Sequence, residues 1–156
     1  MSATPSAELP GFEIELRQQA DYRFEVHFDN PAVPVLITDE HAPLGGDAGP
    51  SPDRLLATSV ANCLAASLLF AMRKFKNDPG RLRVTARLRP TRNEARRLRI
   101  GSIEVDLHLG VPAAGFVQFE RILNQFEEFC TVTQSLRSAI AVQVRVFDGD
   151  GVHVHG

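Results

Sequence analysis

The stretch LGGDAGPSPDRLLATSVANCLAA, which runs from Leu44 to Ala66, changes character at Ser51. Before Ser51 it is rich in glycine and proline and has no hydrophobic period, which is typical of a loop. At Ser51 it carries the signals of a helix start, because serine is a good N-cap and proline suits the first helical position. Asp53, in the first turn, favours the positive end of the helix dipole. The stretch therefore predicts a Gly/Pro loop that leads directly into a helix.

The predicted helix is apolar on almost every side from Leu55 to Met72. An amphipathic surface helix would show one polar face, so we expect this helix to be buried on most sides and to form the centre of the fold. After it, Arg73, Lys74 and Lys76 complement the negative end of the dipole, and the following Asn-Asp-Pro-Gly run ends the helix.

Alternating apolar and polar residues predict strands on both sides of this helix. The expected strands are a hairpin over residues 12–28 and segments at 33–37, 82–88, 103–109 and 140–146. A charged connection is expected from Pro90 to Arg99, a second helix over residues 116–126, and a DGDG turn with a short tail at the end. Because the helices are segregated from a largely antiparallel set of strands, the fold class is α+β.

Length and charge narrow the class of protein. A chain of 156 residues has the usual size of one domain and can bury roughly 70% of the surface that its unfolded form exposes. Its 17 Lys and Arg against 19 Asp and Glu give a formal charge of −2 without any block of like charges, which argues against nucleic acid or an anionic membrane as a partner. A flexible arm is expected over residues 1–10, and a single domain over 11–156.

The sequence also bears on location. We find no apolar run of the roughly 18 residues that a membrane helix requires, and residues 1–10 resemble no secretion signal, so a cytoplasmic location is expected by default. In a reducing cytoplasm, Cys63 and Cys130 are not expected to form a permanent structural disulfide. Any pairing between them should be transient.

Each cysteine can be interpreted either as an inert, buried residue or as a reactive thiol. A thiol inside an apolar helix is usually inert, because burial disfavours the thiolate, and this applies to Cys63. Cys130 ends a Phe-rich segment and can be read as a small apolar residue. The short hydroxyl residues that follow it, Thr131, Thr133 and Ser135, commonly start helical turns and would bring N–H donors that favour a thiolate near its sulfur. The residues alone leave both interpretations open.

Three segments together resemble one known family. The stretch from Leu44 to Ala66 looks like the signature of the OsmC/Ohr family, in which a Gly/Pro loop and a Pro-acidic pair precede a long helix with a reactive cysteine. FCTVTQSL, at residues 129–136, is similar to the family's second cysteine site, and YRFEVHFD, at residues 22–29, suits its N-terminal sheet. The resemblance implies an OsmC-like fold, with antiparallel sheets around a long central cysteine-bearing helix, in an intertwined homodimer.

The resemblance also implies a thiol-dependent peroxidase that reduces organic, lipid-like hydroperoxides. In such proteins the first cysteine attacks as a thiolate, becomes a sulfenic acid and condenses with the second, so Cys63 would be peroxidatic and Cys130 resolving. The family's carboxylate after the loop proline corresponds to Asp53, where better characterised peroxidases have glutamate. The family's hairpin arginine corresponds best to Arg17, with Arg23 as a second candidate.

Further expectations concern partners and cofactors. The resemblance implies that an external dithiol, for example a lipoyl group, reduces the disulfide, and that no metal, flavin or haem is required. Arginine stays cationic and can lower a thiol pKa, while a carboxylate orients its planar fork. Ten helical residues span about 15 Å, so Asp53 and Cys63 of one continuous helix cannot share a site. A second chain could supply the missing residue, which is another reason to expect a homodimer.

The alternative function is a non-catalytic OsmC-like protein whose apolar pocket binds a small ligand or an interaction partner. His153 and His155 alternate along the tail, but without a recognisable third ligand they are more simply explained as solvated residues than as a metal site. His27 and His108 fall on polar strand positions and are expected to be solvated or locally bonded. No local histidine motif beside Cys63 supports a cysteine-histidine hydrolase.

Overall fold

The computed structural model of the chain describes residues 9–156, so eight of the ten residues in the expected flexible arm lie outside the described residues. The two that are described, Leu9 and Pro10, are exposed. The chain divides into two compact units, the first ending at Pro52 and the second running from Asp53 to Gly156. The expectation of a single domain over residues 11–156 stays a prediction.

The first unit is built on a three-stranded antiparallel sheet in the order β1-β2-β3. Its strands are β1 (Ile14–Ala20), β2 (Arg23–Phe28) and β3 (Leu36–Thr38). The expected hairpin is present, with Ile14 opposite Phe28 in the register. The third strand starts later than the expected 33–37, because the Asn30-Pro31 turn uses the Val33 N–H, which donates to Asn30 O at 3.0 Å.

The second unit combines helices with a four-stranded sheet in the order β4-β5-β6-β7. Its long helix is α1 (Pro52–Lys74), and its strands are β4 (Arg83–Arg92), β5 (Leu98–His108), β6 (Ala141–Phe147) and β7 (His153–His155). Strands β5 and β6 are parallel, and such a pair needs a crossover connection. That crossover consists of α2 (Phe119–Gln125), a 3-10 turn (Phe126–Phe129) and α3 (Thr131–Leu136). Two sheets and a central helix make the fold α+β, as expected.

The expected charged connection from Pro90 to Arg99 is wrong. Strands β4 and β5 continue through most of it as a hairpin, with Arg92 opposite Leu98, and only the residues between these two form the turn. Charged side chains are compatible with a strand end that lies in solvent. An irregularity in the register between Arg89 and Pro90 accommodates the proline, which has no N–H for the ladder.

The expected short tail is also wrong, because its last residues form strand β7. This strand pairs antiparallel with β6 and sets His155 opposite Val146. The turn before it is closed by Asp148, whose carboxylate accepts N–H bonds from Asp150 and Val152. The two histidines are thus part of the sheet.

The core of the second unit lies between α1, the sheet and the crossover. One stripe of α1 is fully buried at four-residue spacing, formed by Val60, Leu64, Leu68 and Met72. The stripe belongs to one cluster with buried residues of β5, β6 and the crossover. The opposite face stays exposed, as Phe70 shows with 63% of its surface accessible. The expectation that α1 is buried on most sides is therefore wrong for residues 9–156, because the side of α1 that carries Asn62, Ala66 and Phe70 is exposed.

Helix α1 is also apolar over a longer run than the sequence analysis expected. The helix has 23 residues and a mean hydropathy of 1.9 over its most apolar window, so by length and composition it could cross a membrane. The expectation that no apolar run is long enough was wrong, because the whole Leu55–Met72 window lacks a charged residue. A core helix of a globular protein meets the same criterion, and here the buried stripe packs on a sheet.

Candidate thiol site

Cys63 lies in the middle of α1, next to the buried stripe. Cys63 comes three residues after Val60 and directly before Leu64, which both belong to the buried stripe of α1. Its side chain therefore lies at the edge of that stripe and is half-buried. It packs against the core cluster that contains Cys130, and both cysteines are free thiols. The helix thus holds a thiol that is partly open to solvent on a rigid element.

Cys130 occupies the junction between the 3-10 turn and α3 and is 0% exposed. Its backbone is extended, at φ −81° and ψ 93°, and it serves as the N-cap of α3. Its thiol donates to Thr133 Oγ1 at 3.0 Å, and the Thr133 N–H donates to the sulfur at 3.5 Å. Its own N–H donates to the carbonyl of Glu127 at 3.1 Å. Cys130 is therefore held by Glu127, which precedes it, and by Thr133, which follows it.

The electrostatics of Cys130 differ from the expectation. An N–H donor does lie beside its sulfur, as expected, but burial raises the pKa of the Cys130 thiol above its usual 9.0 and outweighs the lowering effect of the Thr133 hydroxyl and N–H. The Cys63 thiol raises the pKa of Cys130 as well. The structure therefore brings the two thiols close enough to interact, and it keeps Cys130 protonated near neutral pH.

A carboxylate next to Cys130 ties three segments together. Glu127, in the 3-10 turn, is bonded through its carboxylate to Arg137, just after α3, and to His155 Nε2 at 2.9 Å in β7. Its carbonyl accepts from Gln134 Nε2 at 3.0 Å as well as from Cys130. Sequence reasoning missed Glu127 and treated His155 as a solvated tail residue. Partners 10 and 28 positions away leave no local pattern that would have revealed it.

Asp53 is exposed in the first turn of α1, where the N–H of Arg54 donates to its Oδ1 at 2.9 Å. Because α1 is continuous, ten helical residues separate Asp53 from Cys63 by about 15 Å, and one chain does not bring the two together. Asp53 instead lines a groove of about 680 Å³ in the second unit. The groove is mainly apolar, and its aliphatic lining includes Leu88, Leu98, Ile100 and Ile140.

The two candidate arginines lie in the first unit and differ in how they are held. Arg17 projects from β1 with 58% of its side chain exposed and donates to Glu15 Oε2 at 2.7 Å. This bond and the charge of Glu15 raise the pKa of Arg17. Arg23 pairs with the buried Asp39, at 3.7 Å from Nε to Oδ2, and within residues 9–156 this buried Nε atom makes no hydrogen bond. Arg23 is therefore held against a buried carboxylate, whereas Arg17 lies on the surface.

Asp39, which directly follows β3, was not singled out by the sequence analysis. Its carboxylate accepts N–H bonds from Ala48, Gly46 and Glu40, at 3.1, 3.1 and 2.8 Å. These bonds, the one from Ala48 foremost, lower the pKa of Asp39 against the effect of burial, and the charge of Arg23 adds to them. An aspartate directly before a Gly/Pro loop was the available signal, because such loops present unpaired backbone N–H groups.

The remaining histidines have local partners. His27 is 3.0 Å from Glu25 on the same strand, as expected for a locally bonded residue. His108 stacks on Phe147, which also contacts His153. His153 is exposed, as expected for a solvated residue. Within the described part of the chain, no three His, Cys, Asp or Glu side chains lie close enough together to hold a metal ion.

Comparisons with known proteins agree on one family. Residues 45–145 match the family model described as OsmC-like protein. An OsmC-like protein of unknown function from Vibrio cholerae has a similar structure, with a TM-score of 0.75 at 11% identity, covering 89% of this chain and 100% of that chain. A Psychrobacter arcticus protein described as a candidate osmotic stress induced and detoxification response protein gives 0.74 at 18% identity, covering 90% and 99%.

A third similar structure is an organic hydroperoxide resistance protein from Elizabethkingia anophelis. Its TM-score is 0.67 at 17% identity, and the alignment covers 90% of this chain and 98% of that chain. No curated protein sequence matches the chain. At these identities the structural likeness shows the fold alone.

Proposed function

The chain belongs to the OsmC-like protein family, and on that premise we propose that it is a thiol-dependent peroxidase that reduces organic hydroperoxides. The observation that carries the proposal is the pair of interacting thiols, Cys63 half-buried and Cys130 fully buried, on neighbouring elements of one core. Two thiols that lie close together in one core can form a disulfide, and unequal exposure decides which of them meets a substrate first.

The reaction proceeds in three steps. The Cys63 thiol loses its proton, and the thiolate attacks one peroxide oxygen so that the O–O bond breaks. The departing alkoxide takes up the proton and leaves as the alcohol, and Cys63 becomes a sulfenic acid. The Cys130 sulfur then attacks the Cys63 sulfur, the S–O bond breaks, and the hydroxyl leaves as water with the Cys130 proton. An external dithiol, such as a lipoyl group, finally reduces the Cys63–Cys130 disulfide by thiol–disulfide exchange.

We assign Arg17 and Asp53 to the peroxide-binding side of the reaction, with Arg23 as the competing arginine. A guanidinium can hold a peroxide oxygen and favour a nearby thiolate, and a carboxylate can orient it. The anchoring of Arg23 on Asp39 supports the second candidate, because an arginine held in place loses less conformational freedom when it binds. Arg17→Ala and Arg23→Ala should be compared directly, because only the variant that lacks the functional arginine will slow peroxide reduction.

We also propose that the protein is a cytoplasmic homodimer. The separation of about 15 Å between Asp53 and Cys63 along α1, together with the exposed Phe70 on that helix, supports assembly with a second copy. Light scattering at micromolar concentration should report twice the chain mass. A mass of 17.2 kDa throughout that range would contradict the homodimer.

The central experiment adds one equivalent of an organic hydroperoxide to the fully reduced protein and maps the disulfide by peptide mass spectrometry. An intrachain Cys63–Cys130 bond is expected. In Cys130→Ser, the first turnover should proceed while a sulfenic acid accumulates on Cys63, because only the resolving step is lost. Two free thiols after treatment, or bonds between chains alone, would overturn the assignment.

The groove beside Asp53 favours a second candidate function, a non-catalytic protein that binds a small ligand. At about 680 Å³ the groove lies within the usual range of small-molecule sites, and its lining is mainly apolar with one carboxylate. In that case Cys63 would show no fast, selective oxidation by organic hydroperoxides over hydrogen peroxide. A stopped-flow comparison of the two oxidants separates the two functions.

A further inference from the structure

Among residues 9–156, the hydroxyl of Thr133 has one hydrogen-bond partner, the sulfur of Cys130. Thr133 is 0% exposed, and a buried hydroxyl needs a hydrogen-bond partner to offset the loss of water. Its Oγ1 accepts the Cys130 thiol proton at 3.0 Å, and its N–H reaches the same sulfur at 3.5 Å. Thr133 thus forms two hydrogen bonds with the buried thiol, accepting its proton through the hydroxyl and donating to a sulfur lone pair through the N–H.

We propose that Thr133 is the positioning residue of the resolving step. It holds Cys130 with its proton in a hydrogen bond and a sulfur lone pair free to attack Cys63, and it stabilises the thiolate as that proton leaves. This inference rests on the proposed peroxidase function, since it concerns the second step of that reaction.

The chemistry of a hydroxyl suits this role because it both accepts and donates. Toward the thiol, Thr133 Oγ1 accepts, and after rotation about its C–O bond it can donate to the thiolate. Bonds to an ionised partner are roughly twice as strong as neutral ones, so the hydroxyl favours loss of the proton. In line with this, the bonds from Thr133 lower the pKa of Cys130 against the effect of burial.

The atoms and electrons of the step balance without any added reagent. The Cys130 sulfur forms a bond to the Cys63 sulfur, whose S–O bond breaks, and the hydroxyl departs with that electron pair. The proton released from Cys130 combines with the departing hydroxide to form water. Thr133 supplies the hydrogen bonds that hold the sulfur before the proton leaves and after it has left, and it is unchanged at the end.

The test measures attack by Cys130 without any peroxide. The reagent 5,5′-dithiobis(2-nitrobenzoate) labels Cys63 with one thionitrobenzoate, and Cys130 then displaces this group in a first-order phase whose rate does not depend on reagent concentration. In Cys130→Ser this second phase must be absent. The variants are Thr133→Val, which keeps the shape but removes the hydroxyl, and the pair Thr133→Ser and Thr133→Ala, which differ from each other only by a hydroxyl.

Thr133→Val and Thr133→Ala should slow the second phase by about tenfold, the size expected for loss of one hydrogen bond to a charged group, while labelling of Cys63 stays unchanged. Thr133→Ser should recover most of the rate. The pH profile of the second phase should move to higher pH in Val and Ala but not in Ser, because the lost hydroxyl no longer favours the thiolate. A purely structural role would not move that profile.

The proposal is overturned if Thr133→Val displaces the label at the wild-type rate and pH profile, or if Ser and Ala are slowed equally. If Thr133→Val does not fold, the comparison of Ser with Ala decides alone. Because no peroxide is used, a failure of the proposed peroxidase function would appear as unoxidised Cys63 in the hydroperoxide experiment. That result and a failure of the Thr133 inference are therefore distinguishable.

Discussion

The two cysteines sit in the same core but in opposite kinds of local structure. Cys63 lies in the middle of the 23-residue helix α1, at the edge of its buried stripe, and part of its surface reaches solvent. Cys130 lies where two short helical segments meet, is 0% exposed and is bonded to Thr133. Exposure distinguishes the two thiols, and so does the length of the helical element that carries each of them.

The difference in exposure shows how one of two neighbouring thiols can be made to react before the other. Burial keeps Cys130 protonated and away from solvent, so a dissolved oxidant meets Cys63 first. In the proposed reaction Cys63 becomes a sulfenic acid, and its sulfur is then the electrophile that Cys130 attacks. The order then follows from where each sulfur is placed.

Removing each thiol in turn is the strongest way to break this comparison. Cys63→Ser should lower hydroperoxide turnover by a factor on the order of 10³ or more, because the nucleophile itself is lost. Cys130→Ser should keep the rate of the first turnover within about threefold and lose only the later ones. Rapid-mix kinetics under single-turnover conditions separate the two. Equal first-turnover losses in both variants would show that the two thiols are not ordered.

The two faces of α1 provide the next largest effect, on stability. Leu64 is 0% exposed, so Leu64→Ala should lower the free energy of unfolding by about 2–5 kcal/mol through lost burial and a cavity. Phe70, on the other face, is 63% exposed. If that face is open to water, Phe70→Ala should change the free energy of unfolding by less than about 0.5 kcal/mol. Denaturant unfolding measures both. A large loss in Phe70→Ala would mean that another surface covers this face in solution.

The exposure of the thiols predicts different alkylation by iodoacetamide. In the native protein, Cys63 should react about 100-fold faster than Cys130, because the buried thiol reacts only when the core opens. In denaturant the two rates should converge. Mass spectrometry of quenched samples gives both rates, and similar native rates would contradict the burial of Cys130.

The pH dependence follows from the raised pKa of Cys130. A thiol whose folded pKa lies above its unfolded value of 9.0 binds its proton more tightly in the folded state. Its stabilising contribution is therefore complete below about pH 9 and is lost as the pH rises from there through the folded pKa. Cys130→Ser should flatten the loss of stability above that pH, and thermal unfolding over an alkaline pH series measures the difference. A wild-type curve no steeper than the variant's would contradict the raised pKa.

Features of the fold and of the thiol site that depend on neighbouring residues in the sequence were predicted, whereas features that depend on distant segments were not. The start of α1 at Pro52 follows from local signals at Ser51 and Pro52, and the first hairpin follows from alternation, so both were predicted from the sequence. The pairing of β7 and the exposed face of α1 depend on what packs against them, which no local pattern contains. Glu127 was missed for the same reason, since the Arg137 and His155 side chains that its carboxylate binds come from other segments. Asp39 is different, because its N–H donors lie in the Gly/Pro loop that directly follows it.

The smallest predicted effect concerns the support of the Cys130 junction by Glu127. Its carboxylate holds Arg137 after α3 and His155 in β7, so Glu127→Gln removes the charge from both contacts without changing the shape. These side chains are between 19% and 34% exposed, so solvent weakens the pairs, and the loss of stability should be about 1 kcal/mol. Glu128→Gln, at the exposed neighbouring position, is the matched control and should change stability by less than about 0.5 kcal/mol.

The informative measurement on Glu127→Gln is the rate at which Cys130 displaces a thionitrobenzoate from Cys63, alongside denaturant unfolding. If the contacts of Glu127 only hold β7 and α3 in the fold, stability should fall while the displacement rate is unchanged. If they also hold the junction that presents the sulfur, both should fall together, with the rate lower by a factor of about 2–5, a cost below 1 kcal/mol. We expect the second result, because the backbone carbonyl of Glu127 accepts the N–H of Cys130 itself. Unchanged stability and rate would contradict a role for Glu127 in holding the buried thiol.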